Sequence, residues 1–225
     1  MDERYSRQSE LLTPEGQRRL AGKRVAVIGC GGLGGYLIEY MVRLGVGIVT
    51  AVDGDVFEPS NLNRQLLSAE DILGRSKASA AAERARRVNP HIKVFAVEAY
   101  FNEENADALT AGQDLMLDAL DNIPARLLME DVCARHNVPI VHGAIEGWTA
   151  QNATVLPGSH LLHRLYSLSA SQPRSHAALP FTPAFCAAIQ AAEALRLLLG
   201  QPGELAGKLL LSNLQTMEQR TISLE

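Results

Sequence analysis

The sequence predicts an α/β fold of Rossmann type, a mostly parallel sheet flanked by helices with a less regular, partly antiparallel C-terminal part. Three observations carry this. Short β-branched runs alternate with helical segments as far as about residue 141; a glycine cluster, Gly29-Cys30-Gly31-Gly32-Leu33-Gly34, falls between the first such run and the next helix; and the pattern loosens after residue 146. Strands separated by helices need crossovers, and crossovers cover both faces of a parallel sheet.

The elements follow in order. Thr13-Pro14 reads as an N-cap with proline in the first turn, opening a short helix through about residue 20 that Ala21-Gly22 stops. The run RVAVI at 24–28 is a strand, residues 36–44 carry a helical apolar pattern, and IVTAV at 48–52 closes a βαβ unit. A helix over 76–88 ends at Asn89-Pro90; a strand at 92–97, a helix at 103–111 and a strand at 115–117 continue the alternation. Pro124 opens a helix running to His136, and 139–141 reads as a further buried strand. Residues 147–155 suit a less regular strand, and 157–183, rich in Ser, His and Pro, read as a long crossing loop. The Ala-rich stretch 184–199 is a helix ended by Gly200, with terminal strands at 208–211 and 220–224.

With 225 residues and 47% hydrophobic composition the chain can bury one sizeable core, so residues 1–225 are expected to form a single domain: 1–146 as the nucleotide-binding half, 147–225 as the crossing loop and C-terminal part. A net charge of −4 without a basic run argues against nucleic acid as a partner. Cys30, Cys133 and Cys186 are too few and too scattered for a disulfide framework or a CxxC pair. The charged N-terminus and the lack of a long apolar run point away from membranes and towards a soluble, cytoplasmic protein.

The glycine cluster matches GxGxxG directly after a strand and at the start of a helix, where backbone N–H groups and the helix N-terminus can face phosphate. Asp53 ends the next strand, at the distance where a carboxylate accepts from ribose hydroxyls. The pair indicates a nucleotide without separating NAD from ATP. The following residues separate them: an amide, an arginine and a lysine (Asn61, Arg64, Lys77) come at short intervals, which suits neutralisation of a triphosphate.

Taken together, Arg4-Tyr5-Ser6-Arg7-Gln8, Gly29 to Gly34, Asp53 to Asp55, Ser60-Asn61-Leu62-Asn63-Arg64-Gln65, Gly74 to Lys77 and Leu117-Asp118-Ala119-Leu120-Asp121-Asn122 resemble the ThiF/MoeB/HesA family, the bacterial branch of the ubiquitin-activating enzyme superfamily. The resemblance runs from about residue 4 to 151 and resumes at 190–193. It implies an ATP-dependent adenylyltransferase that activates the C-terminal carboxylate of a ubiquitin-like, β-grasp, Gly-Gly-ended sulfur-carrier protein and releases pyrophosphate. It further implies that Asp53 binds ribose, that Asn61, Arg64 and Lys77 contact phosphates, and that Asp121 holds Mg²⁺. Gly29, Gly31, Gly32, Gly34, Asp55, Gln65 and Asn122 complete the nucleotide site, and Arg7 would reach the site of the other subunit of a homodimer. Such a reaction needs preorganised cations more than a general base, because the attacking carboxylate is already ionised.

Departures from the family are visible too. Many relatives hold zinc with two CxxC pairs; here His160-Leu161-Leu162-His163 stands at the first place and nothing at the second, so no zinc is expected and the histidines read as loop residues. Residues 157–183 contain no cysteine, and Cys186, in an apolar helix start, reads as a small hydrophobe, which leaves an acyl-adenylate for an external acceptor. Trp148 is either a partner anchor or core. The alternatives are adenylation of a small-molecule or tRNA-bound carboxylate, a scaffold subunit without turnover, and, on fold alone, a nicotinamide oxidoreductase.

Overall fold

The apolar run at residues 24–28 is hydrogen-bonded on both sides, and that placement organises the molecule. In the computed structural model, which describes residues 2–167 and 177–224, β1 (Arg24–Ile28) lies parallel to both β2 (Ile48–Val52) and β4 (Leu115–Asp118). β3 (Lys93–Val97) pairs parallel outside β2, and β5 (Ile140–Glu146) parallel outside β4. Antiparallel β6 (Thr149–Val155), β7 (Lys208–Asn213) and β8 (Glu218–Ser223) then extend the sheet, in the order β3-β2-β1-β4-β5-β6-β7-β8.

Side chains of β1 alternate between two cores, which is why the run is apolar throughout. Val25 and Val27 pack with Leu37 and Met41 of α2 (Gly32–Leu44), Ala81 of α3 (Lys77–Val88) and Ala194 of α7 (Phe181–Leu198). Ala26 and Ile28 pack on the opposite face with Met129 of α5 (Ile123–His136) and Leu161 of α6 (Leu161–Ser167). The helix α1 (Pro14–Ala21) is capped by Thr13, whose side chain accepts from the Gly16 N–H, and buries Leu20. The short α4 (Ala106–Thr110) packs on α5.

Chain direction reverses at β1. From there the chain winds outward through β2 and β3, then returns to β4 on the other side. The connections leaving the carboxyl ends of β1 and β4 therefore run to opposite faces of the sheet, α2 on one and α5 on the other, and ligands of open α/β sheets bind in the crevice between them.

Several expectations are corrected by the structure. β5 runs to residue 146 rather than 141, and β6 is a regular strand paired with it from Ile140↔Val155 to Glu146↔Thr149, about a tip at Gly147-Trp148. Sequence periodicity missed this because His142 and Asn152 are fully buried polar residues, His142 bonded through Nδ1 to Asp118 and Asn152 through Nδ2 to the Cys186 carbonyl, which breaks the apolar alternation. The stretch expected to be a crossing loop contains α6, whose seven residues are too few for a periodic signal; Leu161, Leu162 and Tyr166 are buried. His163 is thus a helix residue, with Nε2 2.9 Å from Asp131 Oδ1. The part of that loop at 168–176 lies outside the described residues. The helix expected over 103–111 is confined to α4. Among the described residues no helix is long and apolar enough to cross a membrane.

Candidate active site

A cleft of about 810 Å³ opens at the carboxyl ends of β1, β2, β4 and β5, within the size range of small-molecule sites. Its floor is the glycine turn. Gly29 has φ +97°, and a Cβ there would lie 2.6 Å from the Ala119 carbonyl oxygen. A Cβ on Gly34 would stand 1.8 Å from the Gly29 carbonyl oxygen, so the first turn of α2 rests directly on the loop. Gly31 is the N-cap of α2 and supplies no side-chain cap. The first N–H groups of this thirteen-residue helix, at Gly31, Gly32 and Leu33 on the cleft wall, remain available to an anion.

Asp53 stands at the end of β2. Its Oδ2 accepts from the Cys30 N–H at 2.7 Å and its Oδ1 from the Asp55 N–H at 2.8 Å. Burial raises its pKa against the pull of those two donors. Asp55 takes a hydrogen bond from the Tyr100 hydroxyl at 2.5 Å and faces Lys77 Nζ at 3.0 Å, and these hold its carboxyl below the usual range, the Tyr100 bond most of all. Lys77 opens α3 behind the Ser76 cap, and its side chain is only 9% exposed. A nearly buried ammonium on the wall of a cleft is an anion receptor whose charge water screens poorly.

Arg64 lines the opposite wall, its Nη1 donating to the Ser60 carbonyl at 2.8 Å and to Asn63 Oδ1 at 2.9 Å. Gln65 beside Gly31 is nearly buried, and its Oε1 finds no hydrogen-bond partner among the described residues. Asp121 follows β4 and is exposed to the cleft; Asn122 caps α5 through the Ala125 N–H and approaches Asp121 Oδ1 at 3.4 Å.

Most of the candidate residues thus meet in one cleft: the glycines, Asp53, Asp55, Arg64, Gln65, Lys77, Asp121 and Asn122. Gly34 acts beneath it, through the close approach to Gly29. Two candidates stand elsewhere. Asn61 is nearly buried with Oδ1 accepting from the Glu58 N–H at 3.0 Å, so its carboxamide is spent on the local turn and does not line the cleft. Arg7 is exposed on a 3-10 helix (Glu3–Gln8) that docks through Gln8 on the carbonyl of Leu44, the far end of α2 from the glycine turn. Thirteen helical residues span about 20 Å.

Sequence reasoning missed Tyr100 and, behind the cleft, the Arg126 and His142 side chains that meet Asp118. Asp118, fully buried, accepts from the Leu120 N–H at 2.9 Å and from His142 Nδ1 at 2.6 Å, and lies 3.3 Å from Arg126 Nε. Burial opposes its charge, but Arg126 and His142 outweigh this and lower its pKa; burial lowers that of His142. Neutral His142 thus carries its proton on Nδ1, towards Asp118. No local pattern announced the group, because its members come from β4, α5 and β5. All three thiols are buried: burial pushes Cys133 and Cys186 up to about 12 and Cys30 well above its ordinary value. Trp148, at the hairpin tip, is partly exposed with its ring 5.2 Å from that of Phe181. Among the described residues no group of three or more His, Cys, Asp or Glu is placed to hold a metal.

Comparison with known proteins places these features in context. The ThiF family model matches residues 5–225. The chain is 39% identical to the SAMP-activating enzyme E1 of Haloferax volcanii, covering 98% of this chain and 84% of that one. It is 38% identical to the sulfur carrier protein adenylyltransferase of Thermus thermophilus (93% and 82% covered) and 33% identical to Protein HesA of Leptolyngbya boryana (96% and 79%). Among solved structures, PaaA superposes with TM-score 0.84 at 20% identity (99% and 82% covered), and Escherichia coli MccB with ATP at 0.83 and 20% identity (100% and 72%), a likeness of fold.

Proposed function

From the premise that this chain belongs to the ThiF family, we propose that it is an ATP-dependent adenylyltransferase that activates the C-terminal carboxylate of a ubiquitin-like sulfur-carrier protein. The observation that carries the reading is the meeting of Asp53, Arg64, Lys77 and Asp121 around the uncapped α2 N-terminus in one cleft.

In this reading Asp53 accepts from the ribose hydroxyls while the α2 N–H groups and the carboxamide of Gln65 orient the phosphates. A carboxylate oxygen of the carrier attacks the α-phosphorus, the bond from that phosphorus to the bridging oxygen breaks, and pyrophosphate departs, leaving an acyl-adenylate. Negative charge grows on non-bridging and leaving oxygens, and Arg64 and Lys77 are the cations set to receive it. Lys77 has to exchange its Asp55 partner for phosphate, and the Tyr100 hydroxyl remains to hold Asp55 when it does. No proton is removed from the nucleophile, which matches a cleft wall without histidine among the described residues.

Asp121 suits Mg²⁺: it is a hard oxygen donor exposed to the cleft, and Mg²⁺ takes one or two carboxylates together with substrate phosphates. When bound, the ion would supply neutralisation of the phosphate charge. With every thiol buried, and those of Cys133 and Cys186 pushed up to about 12, the adenylate passes to an acceptor outside this chain. The remoteness of Arg7 from its own cleft supports a homodimer in which it serves the neighbouring site. We place the reaction in the cytoplasm, where unpaired cysteines stay reduced.

The test is exchange of labelled pyrophosphate into ATP with and without a β-grasp protein ending in Gly-Gly. Exchange that requires the carrier supports the reading. Exchange indifferent to any carrier points to a small-molecule carboxylate, and no ATP binding by calorimetry removes the enzyme altogether.

A further inference from the structure

Asp121 stands on a loop whose geometry is set from behind. The two peptides that flank Leu120 are each held at one polar group: the N–H of the Ala119–Leu120 peptide donates to Asp118 Oδ1 at 2.9 Å, and the carbonyl of the Leu120–Asp121 peptide accepts from Arg126 Nη2. The two clamping side chains face each other, Arg126 Nε lying 3.3 Å from Asp118 Oδ2. Arg126 is further fixed by the Tyr166 hydroxyl, which accepts from Nη1 at 3.0 Å, and Asp118 by His142 Nδ1 at 2.6 Å. Arg126 is 2% exposed and Asp118 fully buried.

An arrangement of this kind is costly. Burying a guanidinium and a carboxylate together loses much of their hydration, and apolar residues of similar volume often stabilise a core as well or better. What apolar residues cannot do is fix two successive peptide planes, one through its N–H and the next through its C=O. Outside that clamp, the loop start is held by the Ala119 N–H on the Ile28 carbonyl at 3.0 Å and by Gln190 Nε2 on the Asp118 carbonyl at 2.9 Å, and its end by the Asn122 cap on α5 and the 3.4 Å approach of Asn122 to Asp121. None of these holds the carbonyl of the Leu120–Asp121 peptide.

We propose that Arg126 is a positioning residue: it holds the Leu120–Asp121 peptide while its partner Asp118 holds the peptide before it, and thereby aims the Asp121 carboxylate at the cation that accompanies the triphosphate. The inference rests on the nucleotide site proposed above. It separates Arg126 from Lys77 and Arg64, which serve phosphate directly, and assigns it no contact with substrate. Groups that orient a metal ligand typically account for about 10- to 100-fold in metal affinity.

Calorimetry of a non-hydrolysable ATP analogue with and without Mg²⁺ tests it in the full chain. In the wild type, Mg²⁺ should tighten binding. In Arg126→Ala, metal-free affinity should stay within about two-fold while the Mg²⁺-dependent tightening falls by about ten-fold or more. Arg126 borders the cleft, so the truncated side chain leaves a space open to solutes; guanidinium at non-denaturing concentration should restore the metal response where an equal concentration of NaCl does not. Should Arg126→Ala not fold, Arg126→Lys decides, since an ammonium keeps the charge but cannot span Asp118, Leu120 and Tyr166 as the fork does. An unaltered metal response in the variants overturns the inference, as does an equal loss of metal-free and metal-bound affinity, the mark of a purely structural role. A wild type that binds no nucleotide overturns the proposed function instead.

Discussion

Replacing Gly34 by alanine puts one methyl group into the closest backbone approach in the cleft. The added Cβ would stand 1.8 Å from the Gly29 carbonyl oxygen and 2.6 Å from its carbon. Real Cβ atoms essentially never come closer than 3.0 Å, so α2 and the glycine turn must separate by more than about 1 Å, and the obstacle is backbone that cannot rotate away. Overpacking of this kind costs about 1–3 kcal/mol. The separation also moves the α2 N–H groups relative to Asp53, and a misplacement of about 1 Å can cost on the order of 100-fold in rate. Gly35, one residue further along the same helix, is the control. Its Cβ would meet only side chains that can give by a few tenths of an ångström, Leu67 at 3.2 Å and Leu66 at 3.7 Å, and alanine gains about 0.5–1 kcal/mol of helix propensity. Urea unfolding and pyrophosphate exchange should therefore show Gly34→Ala destabilised and about 100-fold slower, with Gly35→Ala close to wild type. If the two variants behave alike, the close approach is not what shapes the phosphate floor.

Lys77→Met should lower exchange by about 100- to 1,000-fold, the scale for removing a preorganised charge-stabilising group, with the fold retained in circular dichroism; exchange within a few-fold of wild type would leave Lys77 a structural partner of Asp55. Asp121→Ala should abolish Mg²⁺-dependent exchange without changing the urea midpoint, and retained exchange would exclude Asp121 as the metal ligand. Cys186→Ala should keep full exchange, because a buried thiol pushed up to about 12 is not a nucleophile at neutral pH; loss of exchange in a folded variant would reopen a covalent step. Stability should fall as pH drops below about 6.5, because unfolded His142 takes up a proton that buried His142 resists, with a slope of at most about 1.4 kcal/mol per pH unit. Asp118, whose pKa the fold lowers beneath 3.8, adds a further loss when pH falls through that lowered value. Urea midpoints at pH 7.5 and 5.5 that coincide would contradict the burial of a neutral His142.

The first βαβ unit was legible because everything that fixes it is local. The apolar run at 24–28, the glycines and the second apolar run lie within thirty residues of one another, and Asp53 follows directly. Strand limits were read to the residue there because both faces of β1 and β2 are buried, leaving no polar alternation to confuse the pattern. The amide, arginine and lysine that follow Asp53 at short intervals likewise raise the expectation of a triphosphate site, and the cleft brings Arg64 and Lys77 of that set together with Asp53. Tertiary structure alone decided that Asn61 turns its carboxamide into its own loop, whereas Gln65, four residues on, brings its own to the glycine turn. It also decided that Arg126, on the helix that Pro124 opens, points inward to Asp118 and Tyr166. The physical reason is the range of the interactions. Propensity and periodicity report how a residue suits its neighbours in sequence, but a buried charge is permitted only by partners that crossovers bring from other elements: here Asp118 from β4, His142 from β5 and Tyr166 from α6.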